Sequence, residues 1–144
     1  ERPNFLEALS FLVELELQDK NFDAAMTAVR SGVQIEPTNF VLRFALGYLY
    51  YLNNDRQGAL TEFESAVILN PQYADAKYFL GLIYAQLGRR EEAIQQFTDV
   101  QTLNSDNKEI AAIIKNLQAG KEPLAGLSAQ MAQPMQVLRE GLVQ

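Results

Sequence analysis

Apolar residues recur along this chain three and four apart, the spacing of one face of a helix. Leu6, Leu9, Leu12, Val13 and Leu17 follow Pro3-Asn4, and Phe22, Ala25, Met26, Val29 and Val33 follow Asn21. The same periodicity predicts helices over Phe40 to Leu52, Arg56 to Leu69, Tyr73 to Gln86, Arg89 to Leu103 and Lys108 to Gln118. Between them stand short polar or breaking clusters: Glu36-Pro37, Asn53-Asn54-Asp55, Asn70-Pro71, Leu87-Gly88 and Asn104-Ser105-Asp106-Asn107. Thr38 or Asn39 and then Asp55 are placed to cap the helices that follow, and each proline stands where a helix has to stop. The pattern is all-α.

The helix over Lys108 to Gln118 carries Ile110, Ile113, Ile114 and Leu117 on one side and Lys108, Glu109, Lys115 and Asn116 elsewhere. A single apolar face of this kind suits a helix that closes the end of a stack. Ala119-Gly120-Lys121-Glu122-Pro123 then breaks the pattern, as a linker would. Beyond it Pro134 can start a short helix, with Met131, Met135, Leu138 and Leu142 spaced by four, three and four and Gly141 weakening it.

A longer period overlies the helical one. Arg43-x-x-Leu46-Gly47-x-x-Tyr50, Ala59-x-x-x-Phe63 and Ala66 are matched at a spacing of 34 by Lys77-x-x-Leu80-Gly81-x-x-Tyr84, Ala93-x-x-x-Phe97 and Val100. The preceding stretch, with Leu9, Leu12, Val13, Ala25, Val29 and Pro37, keeps the apolar pattern but lacks the glycine and tyrosine. A fixed period of this length is the signature of a helix–turn–helix repeat array. On these residues the chain resembles the tetratricopeptide repeat family over roughly residues 4 to 118. The resemblance implies a right-handed superhelical solenoid of three helix pairs, at 4–37, 38–71 and 72–105. A capping helix at 106–118 and a linker with an amphipathic tail at 119–144 complete it. Gly47 and Gly81 fall in mid-helix, where glycine costs about 1 kcal/mol relative to alanine. Their recurrence points to close contact with the partner helix of each pair.

Composition narrows the chemistry. The chain has no Cys, His or Trp among its 144 residues, which removes thiolate and imidazole catalysis, and zinc sites of the usual kind. A net charge of −6 argues against nucleic acid and against docking on anionic lipid. The longest nearly apolar run, Phe44 to Leu52, is too short to cross a bilayer. Without cysteine the compartment stays open, the cytoplasm being slightly favoured. The chain begins Glu1-Arg2-Pro3 rather than with Met, the beginning expected of a piece of a longer protein.

The carboxylate pairs Glu14 with Glu16, Glu62 with Glu64 and Glu91 with Glu92 point apart on their helices, so they read as solvated faces rather than acid–base pairs. The Asn/Asp clusters lack the spacing of a calcium loop, and no glycine-rich phosphate motif occurs. The expectation is therefore no enzyme, no cofactor and no metal.

The residues that a core does not need are more informative. Leu42, Ala45, Leu46, Leu49 and Tyr50 already supply an inward stripe, yet Val41, Phe44, Tyr48, Tyr51 and Leu52 are apolar as well. Tyr78 and Leu82 are the same surplus beside Phe79, Leu80, Ile83 and Tyr84. A helix apolar on every side is buried or carries an interface. In the family the first helix of each pair lines the concave side of the superhelix. The resemblance thus places Phe44, Tyr48, Tyr51, Asp75, Tyr78, Leu82 and Gln86 there, with Glu7, Ser10, Glu14, Leu17 and Gln18 from the first pair. The other reading of the aromatics is packing between neighbouring repeats.

Some family members grip a C-terminal carboxylate with Lys, Arg and Asn on this face. The matching positions here hold Phe44, Tyr48, Tyr78, Leu82, Ser10 and Glu14, so that clamp is missing. What the resemblance implies is a non-catalytic protein–protein interaction scaffold for an amphipathic or extended apolar peptide, with a basic end opposite Glu7 and Glu14. The tail offers a route to homo-oligomers. Two alternatives stand beside this: a structural, self-assembling part of a larger and membrane-anchored parent, and an accessory domain of an enzyme.

Overall fold

The computed structural model describes residues 14, 18–19 and 21–127. The helix expected over the first repeat, apart from Glu14 and Gln18, and the amphipathic tail lie outside the described residues. Among the described residues six helices follow one another: α1 (Phe22–Ile35), α2 (Phe40–Leu52), α3 (Arg56–Leu69), α4 (Ala74–Gln86), α5 (Arg90–Leu103) and α6 (Lys108–Gln118). Each packs on the next, giving an all-α helical repeat solenoid.

Local chemistry sets where the helices begin. Asn21 caps α1 by accepting from the Ala24 N–H at 3.3 Å, and Asp55 caps α3 by accepting from Gly58 at 3.0 Å. Asn39, rather than Thr38, caps α2, accepting from Val41 and Leu42. Asn107 does the same for α6 through the Glu109 N–H. α4 and α5 start one residue later than the sequence pattern places them, with Tyr73 and Arg89 at the cap positions and no side-chain cap bond at either.

The turns repeat with the helices. In the pairs α2–α3 and α4–α5 the chain passes through one left-handed residue, Asn54 (φ 61°) and then Gly88 (φ 76°), which are 34 positions apart. Asp55 N–H donates to the Tyr50 carbonyl and Arg89 N–H to the Tyr84 carbonyl, closing both turns alike. Between pairs, Asn39, Tyr73 and Asn107 donate to the carbonyls of Glu36, Asn70 and Asn104, each at 3.1 Å. The third of these turns has Ser105 where the others have proline, so the hydrogen bonding and not the ring defines it.

The pairs lock through their glycines. A Cβ built on Gly47 would lie 2.8 Å from the Phe63 ring, and one on Gly81 would lie 2.7 Å from the Phe97 ring. Both phenylalanines are fully buried. Glycine lets each ring lie against its partner's backbone, and that contact offsets its low helix propensity. Gly58 plays the same part for the Tyr50 ring at 2.8 Å, a role the 34-residue pattern does not reveal because no glycine recurs there. The pairs carry matching ion pairs on the same side of their first helices, Arg43 with Glu62 at 3.2 Å and Lys77 with Asp99 at 3.0 Å. α6 buries Ile110, Ile113 and Leu117 and packs against α5.

Candidate peptide-binding face

Arg43, Leu46, Gly47 and Tyr50 occupy the side of α2 turned to α3, where the ion pair and the glycine contact lie. Phe44, Tyr48 and Tyr51 are spaced by four and three and fall on a different side of the same helix. That stripe meets α4. Tyr48 stacks on Tyr51 at 6.2 Å between ring centroids, and Phe44 stacks on Tyr48 at 6.4 Å. Phe79 of α4 is the hub, set edge-on to Tyr48 at 5.3 Å, Tyr51 at 5.5 Å and Tyr78 at 5.3 Å. It also contacts Phe44 and Phe63. Aromatic pairs in these geometries contribute about 0.5–1.5 kcal/mol each beyond their buried area. Phe79 belongs to the inward stripe in the sequence, and nothing in its spacing marks it as the link between the two aromatic sets.

Of the residues that the family resemblance points to, Glu7, Ser10 and Leu17 lie outside the described residues. Glu14 is half-buried and Gln18 exposed. Phe44 and Tyr48 are each 1% exposed and Leu82 is 3% exposed, so these three are closed off from solvent. Tyr51, Asp75 and Tyr78 are half-buried. Gln86 is exposed at the edge and accepts from the Arg56 Nε at 3.2 Å. The structure therefore brings Phe44, Tyr48, Tyr51 and Tyr78 into one aromatic cluster, in which Phe44 and Tyr48 pack between neighbouring repeats and only Tyr51 and Tyr78 keep part of their surface in water, with Gln86 at its border.

Burial pushes the Tyr48 phenol well above its ordinary range, with the neighbouring Tyr51 adding to it. Tyr78 is pushed up to about 12, first by burial and then by Tyr51 and Glu109. The Tyr73 phenol is raised by burial and by Asp75. The hydroxyl oxygens of Tyr73 and Tyr78 are shielded and have no hydrogen-bond partner. A buried donor left without an acceptor costs about 1–3 kcal/mol.

Two further residues share this register. Glu109, 34 positions after Asp75, is exposed at the start of α6. Asn116, 34 after Leu82 and 68 after Tyr48, donates from Nδ2 to the carbonyls of Pro123 and Ala125, both at 2.9 Å. Extending the 34-residue spacing into α6 was the signal that finds both. Across the described positions of the register no Lys or Arg occurs, while Glu14, Asp75 and Glu109 are acidic. Among the described residues no group of three or more His, Cys, Asp or Glu is placed to hold a metal ion, and no helix is long and apolar enough to cross a membrane.

Comparisons with known proteins agree with this architecture. The model of the tetratricopeptide repeat matches residues 44–108. The first tetratricopeptide domain of Spaghetti (RPAP3), solved bound to the HSP90 peptide SRMEEVD, is 21% identical with a TM-score of 0.75, covering 83% of this chain and 98% of that one. MamA, known from a crystal structure, is 23% identical with a TM-score of 0.73, covering 97% and 80%. The O-GlcNAc transferase of Thermobaculum terrenum is 23% identical with a TM-score of 0.70, covering 81% of this chain and 23% of that one. No curated protein sequence matches the chain. The fold is in general a non-enzymatic scaffold for protein interaction, and it also occurs within larger chains such as that transferase. Residues 44–108 match the tetratricopeptide repeat model, and the solenoid built around them has the tetratricopeptide fold.

Proposed function

We propose that this chain is a non-catalytic peptide-binding scaffold of three tetratricopeptide repeats (4–37, 38–71 and 72–105) closed by a cap at 106–118. Its concave side takes one amphipathic segment. The apolar face of that segment rests on the half-buried rings Tyr51 and Tyr78, which Phe44, Tyr48 and Leu82 back from the interior, and its basic residues meet the acidic positions Glu7, Glu14, Asp75 and Glu109. Ser10 and Gln86 border the site.

The observation that carries this reading is the absence of any Lys or Arg from the described concave-side register, beside its aromatic and acidic content. The peptide bound by the Spaghetti domain is acidic towards its end, Glu-Glu-Val-Asp. A surface with no cation has nothing to pair with such a ligand, and like charges across an interface disfavour it. The preference here is the opposite one, for a basic amphipathic segment.

Fluorescence anisotropy tests this with two labelled helical probes, one of Leu and Lys and its Leu/Glu counterpart. The full chain binds the Leu/Lys probe and not the Leu/Glu one. Glu109→Lys weakens the first by about two- to five-fold, the range of a border charge pair. Equal or tighter binding of the acidic probe would overturn the reading.

A further inference from the structure

The pairs α2–α3 and α4–α5 build the same cleft with different contents. In the first pair Arg43 closes it. Its Nε donates to the Pro37 carbonyl at 3.1 Å, and its Nη1 donates to Glu62 Oε2 at 3.2 Å. A guanidinium is thus held between a turn carbonyl and a carboxylate of the facing helix. At the same positions of the next pair, Arg43 becomes Lys77, Glu62 becomes Gln96, Ser65 becomes Asp99 and Ile68 becomes Thr102. Lys77 has a single donor group, and its Nζ donates to Asp99 Oδ2 at 3.0 Å. Among the described residues no group donates to the Pro71 carbonyl, and Gln96 Oε1 is shielded without a partner. The result is a cleft of about 250 Å³ between Pro71, Gln72, Lys77, Asp99, Thr102 and Leu103.

These changes make the cleft rich in acceptors. Asp99 keeps 36% of its side chain in water, and its Oδ1 accepts from the exposed Gln95 amide at 3.0 Å. The Thr102 hydroxyl donates to the Thr98 carbonyl at 3.1 Å, which leaves its oxygen free to accept. Pro71 and Leu103 are both exposed and give the mouth apolar walls. A planar group with several donors on an apolar stem matches this set, and among side chains that is arginine. Its charge-assisted bond to Asp99 is stronger than the neutral Gln95 bond it displaces. The ammonium of Lys77 opposes a second point charge, so a lysine, with no fork to spread over several acceptors, is disfavoured. Pockets for whole small molecules begin near about 300 Å³, so this cleft has the size for one side chain.

We propose that the cleft between α4 and α5 binds an arginine side chain of a partner protein, as Arg43 occupies the corresponding place between α2 and α3. None of its lining residues belongs to the concave-side set, so its test does not depend on the concave-side ligand.

The full chain, isotope-labelled, is titrated with N-acetylarginine amide and followed by two-dimensional amide NMR. Saturable shifts are expected at Gln72, Thr102 and Leu103, with N-acetyllysine amide binding at least several-fold more weakly. Substitutions at Lys77 have opposite signs. Lys77→Arg puts into the cleft the group that fills it at Arg43, and should abolish the saturable shifts with the fold intact. Lys77→Met removes the competing ammonium and should tighten binding several-fold, whereas Asp99→Asn weakens it several-fold. Equal binding of the two amides, shifts confined to other parts of the chain, or undiminished binding by a folded Lys77→Arg variant overturns the proposal. So does weaker binding by a Lys77→Met variant with unchanged melting. A preference for free arginine over its capped amide assigns the cleft to the amino acid and overturns the partner's side chain. The comparison of the two amides is made on the unaltered chain, so it decides even where a variant is unstable.

Discussion

Replacing Gly81 with alanine sets two known effects against each other. Alanine in mid-helix gains about 1 kcal/mol over glycine in propensity. Here the added Cβ would lie 2.7 Å from Phe97 Cε2, 2.9 Å from Cζ and 3.0 Å from Cδ2. Real contacts of that kind do not occur, so either the ring or the helix has to move. Phe97 is 0% exposed and also meets, edge-on at 5.6 Å, the ring of Tyr78, one turn before Gly81 on the same helix. Overpacking a filled core by one methyl costs about 1–3 kcal/mol. The packing loss equals or exceeds the propensity gain, and Gly81→Ala should destabilise the chain by up to about 2 kcal/mol. Urea unfolding followed by far-UV circular dichroism reads this as a lower midpoint. A double-mutant cycle with Phe97→Leu isolates the cause. The smaller side chain makes room, so alanine at 81 should then be neutral or favourable, with a coupling in the range of contacting residues, about 0.5–3 kcal/mol. A Gly81→Ala chain with a higher midpoint than the starting protein would refute the argument. It would mean that glycine at this position answers to something other than the Phe97 ring.

Three further outcomes follow from the same structure. Ile113 is 0% exposed on α6, so Ile113→Asp should abolish cooperative unfolding and cause aggregation, seen by light scattering; a monomeric variant with unchanged melting would show that α6 does not close the stack. Asn54 has a left-handed backbone where its counterpart is Gly88, so Asn54→Val should cost about 1–2 kcal/mol and Asn54→Gly should be neutral or stabilising in thermal melts. Burial raises the phenols of Tyr48, Tyr51, Tyr73, Tyr78 and Tyr84 above 10.0, Tyr78 and Tyr84 to about 12. Their neutral forms therefore stabilise the fold fully below pH 10 and lose that effect as pH rises towards 12 and beyond. Tyrosinate absorbance and helix loss should rise together in that window, and tyrosines that ionise near pH 10 with the helices intact would contradict the burial described here.

Much of the fold is legible in the sequence because the repeat states each local rule twice. Gly47 and Gly81 mark the tight crossings, Phe63 and Phe97 name the rings that need them, and the caps Asn39, Asp55 and Asn107 are visible as polar residues before apolar runs. What is not legible is whatever occurs once. Gly58 makes room for Tyr50 without a repeat to announce it. The starts of α4 and α5 are blurred because Tyr73 and Arg89 make no side-chain cap bond, so no polar signal marks the boundary. Phe79 is invisible as a hub because a helical wheel places a residue on a face but does not say which neighbouring helix fills the space beyond it.

The surface is legible in a different way from the core. Core positions repeat in kind: Leu46 and Leu80, Ala59 and Ala93, Phe63 and Phe97 answer the same geometry with the same residue. Positions on the concave side repeat only in place: Phe44 becomes Tyr78, Tyr48 becomes Leu82 and then Asn116, Val41 becomes Asp75 and then Glu109. Packing between identical pairs imposes the same demand at each step, so a position free to vary along the stack is one that identical packing does not dictate. The variation also has a direction, from apolar on α2 to polar on α6. A segment lying across the three helices would meet aromatic rings at one end, and a carboxylate with an amide at the other. An amphipathic helix with its polar residues gathered at one end fits such a gradient, and a uniformly apolar strand does not. On the function proposed above, α6 would set the orientation of a bound segment through Glu109 in its first turn and, two turns on, Asn116, which donates to the Pro123 and Ala125 carbonyls.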